Sequence, residues 1–382
     1  MQDGNRKRRA GWVIALIGVL GLMPATRGFG NLLPNGDFEA DPDGTTVVVN
    51  NNISIGGITQ WRVFAVGGGQ ATATVTSAAA STGAKGLQYS YDVQGADSAV
   101  DKDEPPLLLP VPPNRVYRLL VDARDGGPYG GTPAFVGGFQ FHNAGGGYLG
   151  GRSYGYDPSG IYETVGITQA APATAATLSV RFDMGGAGRS VHLDNARVVD
   201  VTNSDRMING GFENSPSRLL NWRFFAVGGA AGSATLSTDA HTGSYAARLE
   251  RTVMAGDSGL DTWGGDIDQA VLSGETIVMS FAAKWLSGNG KIGWNISTFD
   301  SNHTFLGVAA QGGVSPGASY GVFTSGPVTL NPNVAYVSVG FRVWDAPSVF
   351  LIDDVTLVPE PATAAGLLVA VGLLSLRRRP AA

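Results

Sequence analysis

Hydrophobic and polar residues alternate along most of this chain. From Thr177 to Met184, Leu178, Val180, Phe182 and Met184 fall on one side, and Thr177, Ser179, Arg181 and Asp183 on the other. Tyr117, Leu119, Val121 and Ala123 alternate in the same way with Arg118, Leu120, Asp122 and Arg124. Val337, Val339, Phe341 and Val343 alternate with Tyr336, Ser338, Gly340, Arg342 and Trp344. A period of two gives each strand one dry and one wet face, as an antiparallel sandwich requires. No stretch holds a helical period except the two ends. Gly126-Gly127 and Gly145-Gly146-Gly147 read as hairpin or loop tips.

The body is a duplication. Trp61-Arg62-Val63-Phe64-Ala65-Val66-Gly67-Gly68 returns as Trp222-Arg223-Phe224-Phe225-Ala226-Val227-Gly228-Gly229. Other landmarks follow in the same order. Asn35-Gly36-Asp37-Phe38-Glu39 matches Asn209-Gly210-Gly211-Phe212-Glu213, and Thr82-Gly83 matches Thr242-Gly243. Tyr148-Leu149-Gly150 matches Phe305-Leu306-Gly307, and Leu193-Asp194-Asn195 matches Ile352-Asp353-Asp354. Two long copies make a tandem of domains, not a solenoid of short units. The expected divisions are residues 1–28, 31–200, 206–358 and 359–382, with a short polar linker from Val201 to Arg206.

The two ends read as targeting segments. Arg6-Lys7-Arg8-Arg9 precedes an apolar run from Gly11 to Met23 and small residues at 24–28, the order of a secretory signal peptide cleaved after Ala25 or Gly28. At the other end Ala362 to Leu376 is apolar and Arg377-Arg378-Arg379 follows. As a helix that run spans roughly 22 Å, short of the ~30 Å hydrocarbon core. The arginines would stay on the cytoplasmic side, with the body across the membrane. Together with Pro359, Glu360 and Pro361, this tail resembles the PEP-CTERM sorting signal of Gram-negative bacteria. The resemblance implies an exosortase, a membrane-embedded Cys protease, as processing partner. It also implies transient anchoring in the inner membrane and delivery to the cell surface or extracellular matrix. An ordinary tail anchor with an incidental Pro-Glu-Pro is the alternative.

Composition narrows the function. Net charge is −5 and both ends are basic, so the body between them is more acidic still. That argues against a nucleic-acid or anionic-membrane partner and suits a protein that holds divalent cations. With no Cys there is no disulfide, thiolate metal site or Cys nucleophile. The 56 Gly residues, with abundant Thr, Val and aromatics, favour many short strands joined by tight turns.

Each copy resembles the galactose-binding-like jelly-roll carbohydrate-binding modules of families four, nine and twenty-two. The likeness rests on the opening Asn-Gly-x-Phe-Glu, the Trp after it, the Thr-Gly before an alternating strand, and the closing apolar-Asp-Asp/Asn-apolar strand. The expected fold class is therefore all-β: two tandem antiparallel jelly-roll β-sandwiches, with an N-terminal signal helix and a C-terminal short transmembrane helix. The resemblance implies a structural Ca²⁺ site in each copy, through Glu39 with Asp194 and Glu213 with Asp353, completed by carbonyls of the Thr-Gly turn. Six to eight oxygens satisfy Ca²⁺, so two acids and backbone carbonyls can suffice. The other reading is that these acids bond backbone amides.

Catalysis has little support in the residues. An acid pair at the start and end of each domain does not form the open groove that a glycosidase needs. His142, His192, His241 and His303 show no metal spacing. Trp61 and Trp222 read as core, because Val63 and Phe224 continue their apolar faces. Trp285 and Trp294 share core register with Phe281 and Ile296. Trp344 instead faces away from the core beside Arg342. An exposed indole beside an Arg suits stacking and hydrogen bonding to a sugar. Candidate sugar-binding residues are Trp344, Arg342 and Asn295 in copy two, and Arg118, Gln140 and His142 in copy one. The expected function is an exported, non-enzymatic protein that binds polysaccharide, with exopolysaccharide among the candidates. The alternative is a structural or adhesive surface protein whose sandwiches bind no sugar.

Overall fold

The structure, a computed structural model, describes residues 30–360 except 106, 128–134 and 265–266. The signal segment, Pro361, the apolar run and its arginines lie outside these residues. Among the described residues no helix is long and apolar enough to cross a membrane.

Copy one contains β1 (Thr46–Ile58), β2 (Trp61–Thr76), β3 (Gly86–Val93), β4 (Asp97–Asp101), β5 (Leu109–Pro110), β6 (Val116–Asp125), β7 (Phe135–His142), β8 (Tyr148–Tyr156), β9 (Glu163–Ala170), β10 (Thr177–Met184) and β11 (Arg189–Asp200). Copy two contains β12 (Arg223–Val227), β13 (Ala231–Ser237), β14 (Ala246–Val253), β15 (Asp257–Asp261), β16 (Gln269–Ala270), β17 (Thr276–Gly288), β18 (Lys291–Phe299), β19 (Phe305–Val314), β20 (Gly321–Thr329), β21 (Tyr336–Trp344) and β22 (Ser348–Pro359). In copy two, the order β12-β15-β21-β18-β19 forms one layer and β13-β14-β22-β17-β20 the other. Copy one repeats both layers, as β2-β4-β10-β7-β8 and β2-β3-β11-β6-β9. Every pairing is antiparallel. This is the all-β tandem sandwich that the alternation predicts.

The copies differ at one strand. β2 runs unbroken from one layer into the other, and the insertion between Glu39 and Trp61 forms β1 along its whole length. In copy two the matching chain turns at Gly228-Gly229, and β12 and β13 separate. Gly228 and Gly229 have φ of 63° and 83°, and Gly67 and Gly68 of 66° and 86°. The repeated Gly pair therefore serves the same left-handed crossing in both copies.

The opening motif has a mechanical reason. Trp61 is fully buried, stacks on Phe38 at 5.3 Å and donates its indole N–H to the Asn35 carbonyl at 2.8 Å. Trp222 repeats this with Phe212 at 5.2 Å and the Asn209 carbonyl at 2.8 Å. The Asn35 side chain donates to Thr59 O at 2.7 Å, and Asn209 to Leu220 O at 2.7 Å. A Cβ on Gly36 would lie 1.9 Å from Ala196 O, and one on Gly210 1.7 Å from Val355 O. The motif's glycine therefore lets the first turn press onto the closing strand. That strand bulges at Asn195 and Asp354, with φ of 50° and 48°, a conformation Asn and Asp tolerate.

Each copy has its own apolar core, and a third cluster of Val116, Val201, Ala270, Phe299 and Tyr336 fills the junction between them. The polar linker is part of this packing. Arg206 is fully buried, pairs with Glu275 and donates to Thr202 O at 3.0 Å.

Lys102 is fully buried beneath Trp61, its ammonium 4.2 Å from the ring and bonded to Gln60 O. Burial pushes its pKa down to about 7, from an ordinary value near ~10.4. Between those values the unfolded chain holds a proton that the folded chain has released. Stability should therefore rise with pH across that window. Denaturant titrations from pH 7 to 10 should show this climb, and Lys102→Met should flatten it. A slope untouched by the substitution would assign the titration to another group.

Candidate functional site

Trp344 ends β21 and points out of the sandwich, half-buried. Its indole lies flat on the neighbouring strands. A Cβ on Gly293 would come within 2.1 Å of the ring, and one on Gly313 within 3.1 Å. These two glycines, on β18 and β19, leave the bed in which the ring rests. Arg342, two residues earlier, extends on the same face. Its guanidinium donates to the Asn295 side-chain oxygen and, at 2.9 Å, to Asp257. Asn295 in turn donates to Ser297 Oγ at 2.8 Å. The structure thus brings Trp344, Arg342 and Asn295 together in one cleft of about 280 Å³.

Five further residues complete this cleft and escaped the sequence reading: Trp263, Ser297, Phe305, Val308 and Gln311. Trp263 stacks on Phe305 at 5.0 Å. Trp263 lies just beyond a strand, where period-two reasoning has no hold. Phe305 carried a signal, since its repeat partner is Tyr148, and both are exposed aromatics opening an edge strand.

The matching cleft of copy one, about 270 Å³, carries a charge pair and has no indole. Gln140 lines it with Ser153, Arg181 and Asp183. Arg181 bonds Asp183 at 2.8 Å and also Asp97. Gly185 occupies the position of Trp344, and Val136 that of Gly293. His142 is buried, 3.1 Å from Asp103, with Tyr148 edge-on at 6.1 Å. Arg118 does not join Gln140 and His142. β6 belongs to the opposite layer, and Arg118 donates to Met207 O at 2.8 Å at the start of copy two. A period-two pattern cannot say which layer a strand enters. Trp285 also departs from its expected core position: it is 36% exposed, because β17 runs past the apolar layer there. Trp294 is buried as its register predicts.

The four acids of the metal expectation meet their Thr-Gly turns. Buried Asp194 accepts from Ser81 N at 2.7 Å and Thr82 N at 2.9 Å; Glu39 accepts from Ala84 N at 2.6 Å and Lys85 N at 2.8 Å. The amides of Lys85 and Ala84 hold the Glu39 carboxyl below its usual range, whereas burial raises Asp194 against its amide donors. Copy two repeats the clasp, with Asp353 on His241 N at 2.7 Å and Glu213 on Ser244 N at 2.7 Å and Tyr245 N at 2.8 Å. The copies differ at Asn195, whose counterpart Asp354 bonds the His241 ring at 2.6 Å, and at Lys85. The Lys85 ammonium donates to the carbonyls of Glu39, at 2.9 Å, and Asp41, and lies 3.9 Å from the second Glu39 oxygen. Tyr245 stands in its place in copy two. In copy one an ammonium thus sits beside these carbonyls, and in both copies the acids bond backbone amides of the Thr-Gly turn, as the second of the two readings has it. Among the described residues no three His, Asp or Glu side chains form a metal cage, so backbone carbonyls would have to complete it.

No protein-family model and no curated protein matches this sequence. Among solved structures, the N-terminal CBM22-1–CBM22-2 tandem of Paenibacillus barcinonensis Xyn10C shares 13% identity; the match covers 84% of this chain and 99% of that one, with a TM-score of 0.31. The C-terminal family 22 carbohydrate-binding module of Clostridium thermocellum Xyn10B shares 17%, over 40% of this chain and 94% of that one, at 0.30. The family 11 module of C. thermocellum Lic26A-Cel5E shares 14%, over 41% and 96%, at 0.30. The class is defined by the strand order itself: a tandem of two-layered antiparallel β-sandwiches, with an aromatic cleft on one layer of the second.

Proposed function

We propose that this is an exported, non-enzymatic protein that binds polysaccharide through the cleft of copy two. One observation carries the reading: an indole laid flat on two glycines, with the Arg342–Asn295 pair beside it. A flat aromatic surface takes the C–H face of a sugar ring, and the polar pair takes its hydroxyls. The acids of the copy-one cleft are bound to Arg181, so they are poor candidates for proton transfer to a glycoside. That charge-paired cleft, lacking an aromatic floor, gives copy one the part of scaffold. Were both copies of this kind, the structural or adhesive reading would hold. The tail resemblance supports export, sorting by an exosortase and residence at the cell surface or in the matrix. The resemblance of each copy to calcium-holding modules supports Ca²⁺ at Glu213 and Asp353, with Lys85 standing in for it in copy one.

Trp344→Ala should weaken binding in a polysaccharide screen by about 1–3 kcal/mol, the scale known for bases stacked on aromatic side chains. Stability should fall by only about 1 kcal/mol, since the ring lies outside the core. Retained binding would favour the structural reading.

Calcium at a hundredfold excess over Kd should add about 2.7 kcal/mol of stability, and a chelator should remove it. Glu213→Gln should erase that response and Glu39→Gln should leave it. Identical melts with calcium and chelator would dismiss the ion. For the tail, mass spectrometry of the surface-recovered protein should find the segment after Pro361 missing, whereas an intact Ala382 would indicate a plain anchor.

A further inference from the structure

We propose a second sugar-binding site at the junction of the two copies, separate from the Trp344 cleft. There a cleft of about 330 Å³ opens between the end of β8 and the segment 218–222 that precedes β12. Copy one supplies Tyr154, Gly155, Tyr156 and Asp157, and copy two supplies Arg218 and Asn221 among others. Asn221 is 5% exposed, yet neither its side-chain oxygen nor its nitrogen has a hydrogen-bond partner. Native folds seldom leave a buried amide so. Its backbone has φ of 62°, which glycine would meet equally well, so the turn itself does not require the amide. In copy one the same place is taken by Gln60, which is exposed.

The walls specify the ligand class. Tyr156 is buried, with Tyr154 stacked on it at 6.1 Å and the Arg218 guanidinium over its ring at 4.9 Å, so half-buried Tyr154 supplies the ring surface. The Arg218 charge is already matched: it donates to buried Glu163 at 2.7 and 2.8 Å, and to the Tyr156 hydroxyl at 2.5 Å. Ser215 Oγ holds the same carboxylate at 2.6 Å. With no spare positive charge, and with Asp157 on the rim, the cleft disfavours anions. An amide that lacks both a donor and an acceptor partner suits a hydroxyl, which supplies both. Ring surface, a paired-off charge and an unmet amide together fit a neutral pyranose. The latch from Glu163 to Ser215 and Arg218 keeps the cleft formed without it. The class of ligand rests on the glycan reading above; the site itself does not.

The test is NMR of the full chain titrated with the methyl β-glycosides of glucose, galactose and mannose, in a Trp344→Ala background. At least one should move the Gly155 amide and the Asn221 side-chain amide saturably. Asn221→Gly keeps the left-handed backbone and should weaken this response by up to about tenfold, the loss of one or two neutral hydrogen bonds. Gly155→Leu should abolish it, since nothing lies within 4 Å of the Cβ position and the side chain would fill the cleft. No shift at Gly155 and Asn221 overturns the junction site, as does a shift that survives Gly155→Leu. Wild-type shifts confined to the surroundings of Trp344 would overturn it while upholding the glycan reading. Shifts at the junction with none around Trp344 would do the reverse.

Discussion

The contact on which each module depends is a tryptophan held by the first turn of its own copy. Trp61 and Trp222 fill the centre of their sandwiches, and each indole N–H ends on the carbonyl of the motif's Asn. That single bond joins chain positions that would otherwise be free to drift: the opening turn, the strand after it and the closing strand under the glycine. An indole buried without a partner for its N–H would be penalised, so the carbonyl fixes where the turn sits. Once it is fixed, Glu39 and Glu213 reach the Thr-Gly turns, and Gly83 and Gly243 must be glycine. Both have φ of 66°, and a Cβ on either would press on the glutamate oxygen, at 2.5 and 2.4 Å.

On that shared frame the faces have diverged by small exchanges. Placing Trp344 where copy one has Gly185 is possible only because Gly293 stands where copy one has Val136. The indole could not lie flat over a valine, so the two exchanges form one change seen from two strands. Lys85 and Tyr245 are a similar case. The ammonium joins the carbonyls of Glu39 and Asp41 in copy one, and a tyrosine at that position carries no charge to do so. The duplication thus kept what folds the module and released what faces outward.

Strand identity was legible because period two is local. β10 and β21 occupy the residues that the alternation predicts, and the repeated landmarks are each explained by a contact within their own copy. Trp344, Arg342 and Asn295 could be singled out because each lies out of core register on a readable strand. The rest depends on which strands become neighbours. Arg118 has the outward parity of a solvated residue, but its layer faces the linker and copy two. Trp285 has core parity, but its strand outruns the core. Trp263 and Asn221 sit in turns, where parity says nothing.

The junction shows most clearly what such local reading cannot reach. Arg152 of β8 pairs with buried Asp268, and His303 donates to the same carboxylate at 2.9 Å. Tyr336 contacts both side chains, with the Arg152 guanidinium 4.7 Å from its ring and His303 stacked at 4.2 Å. Removing these charges from water is costly, and an apolar junction of the same size would serve stability as well or better. What a bonded charge cluster adds is geometry, because its partners tolerate one arrangement only. The polar linker is drawn into the same packing through Arg206 and Glu275. Under the proposed function, two modules fixed in this way would meet a polysaccharide as one body. A chain held in the Trp344 cleft would then raise the effective concentration of its own neighbouring sugars at the junction, which free modules on a loose tether would do less well.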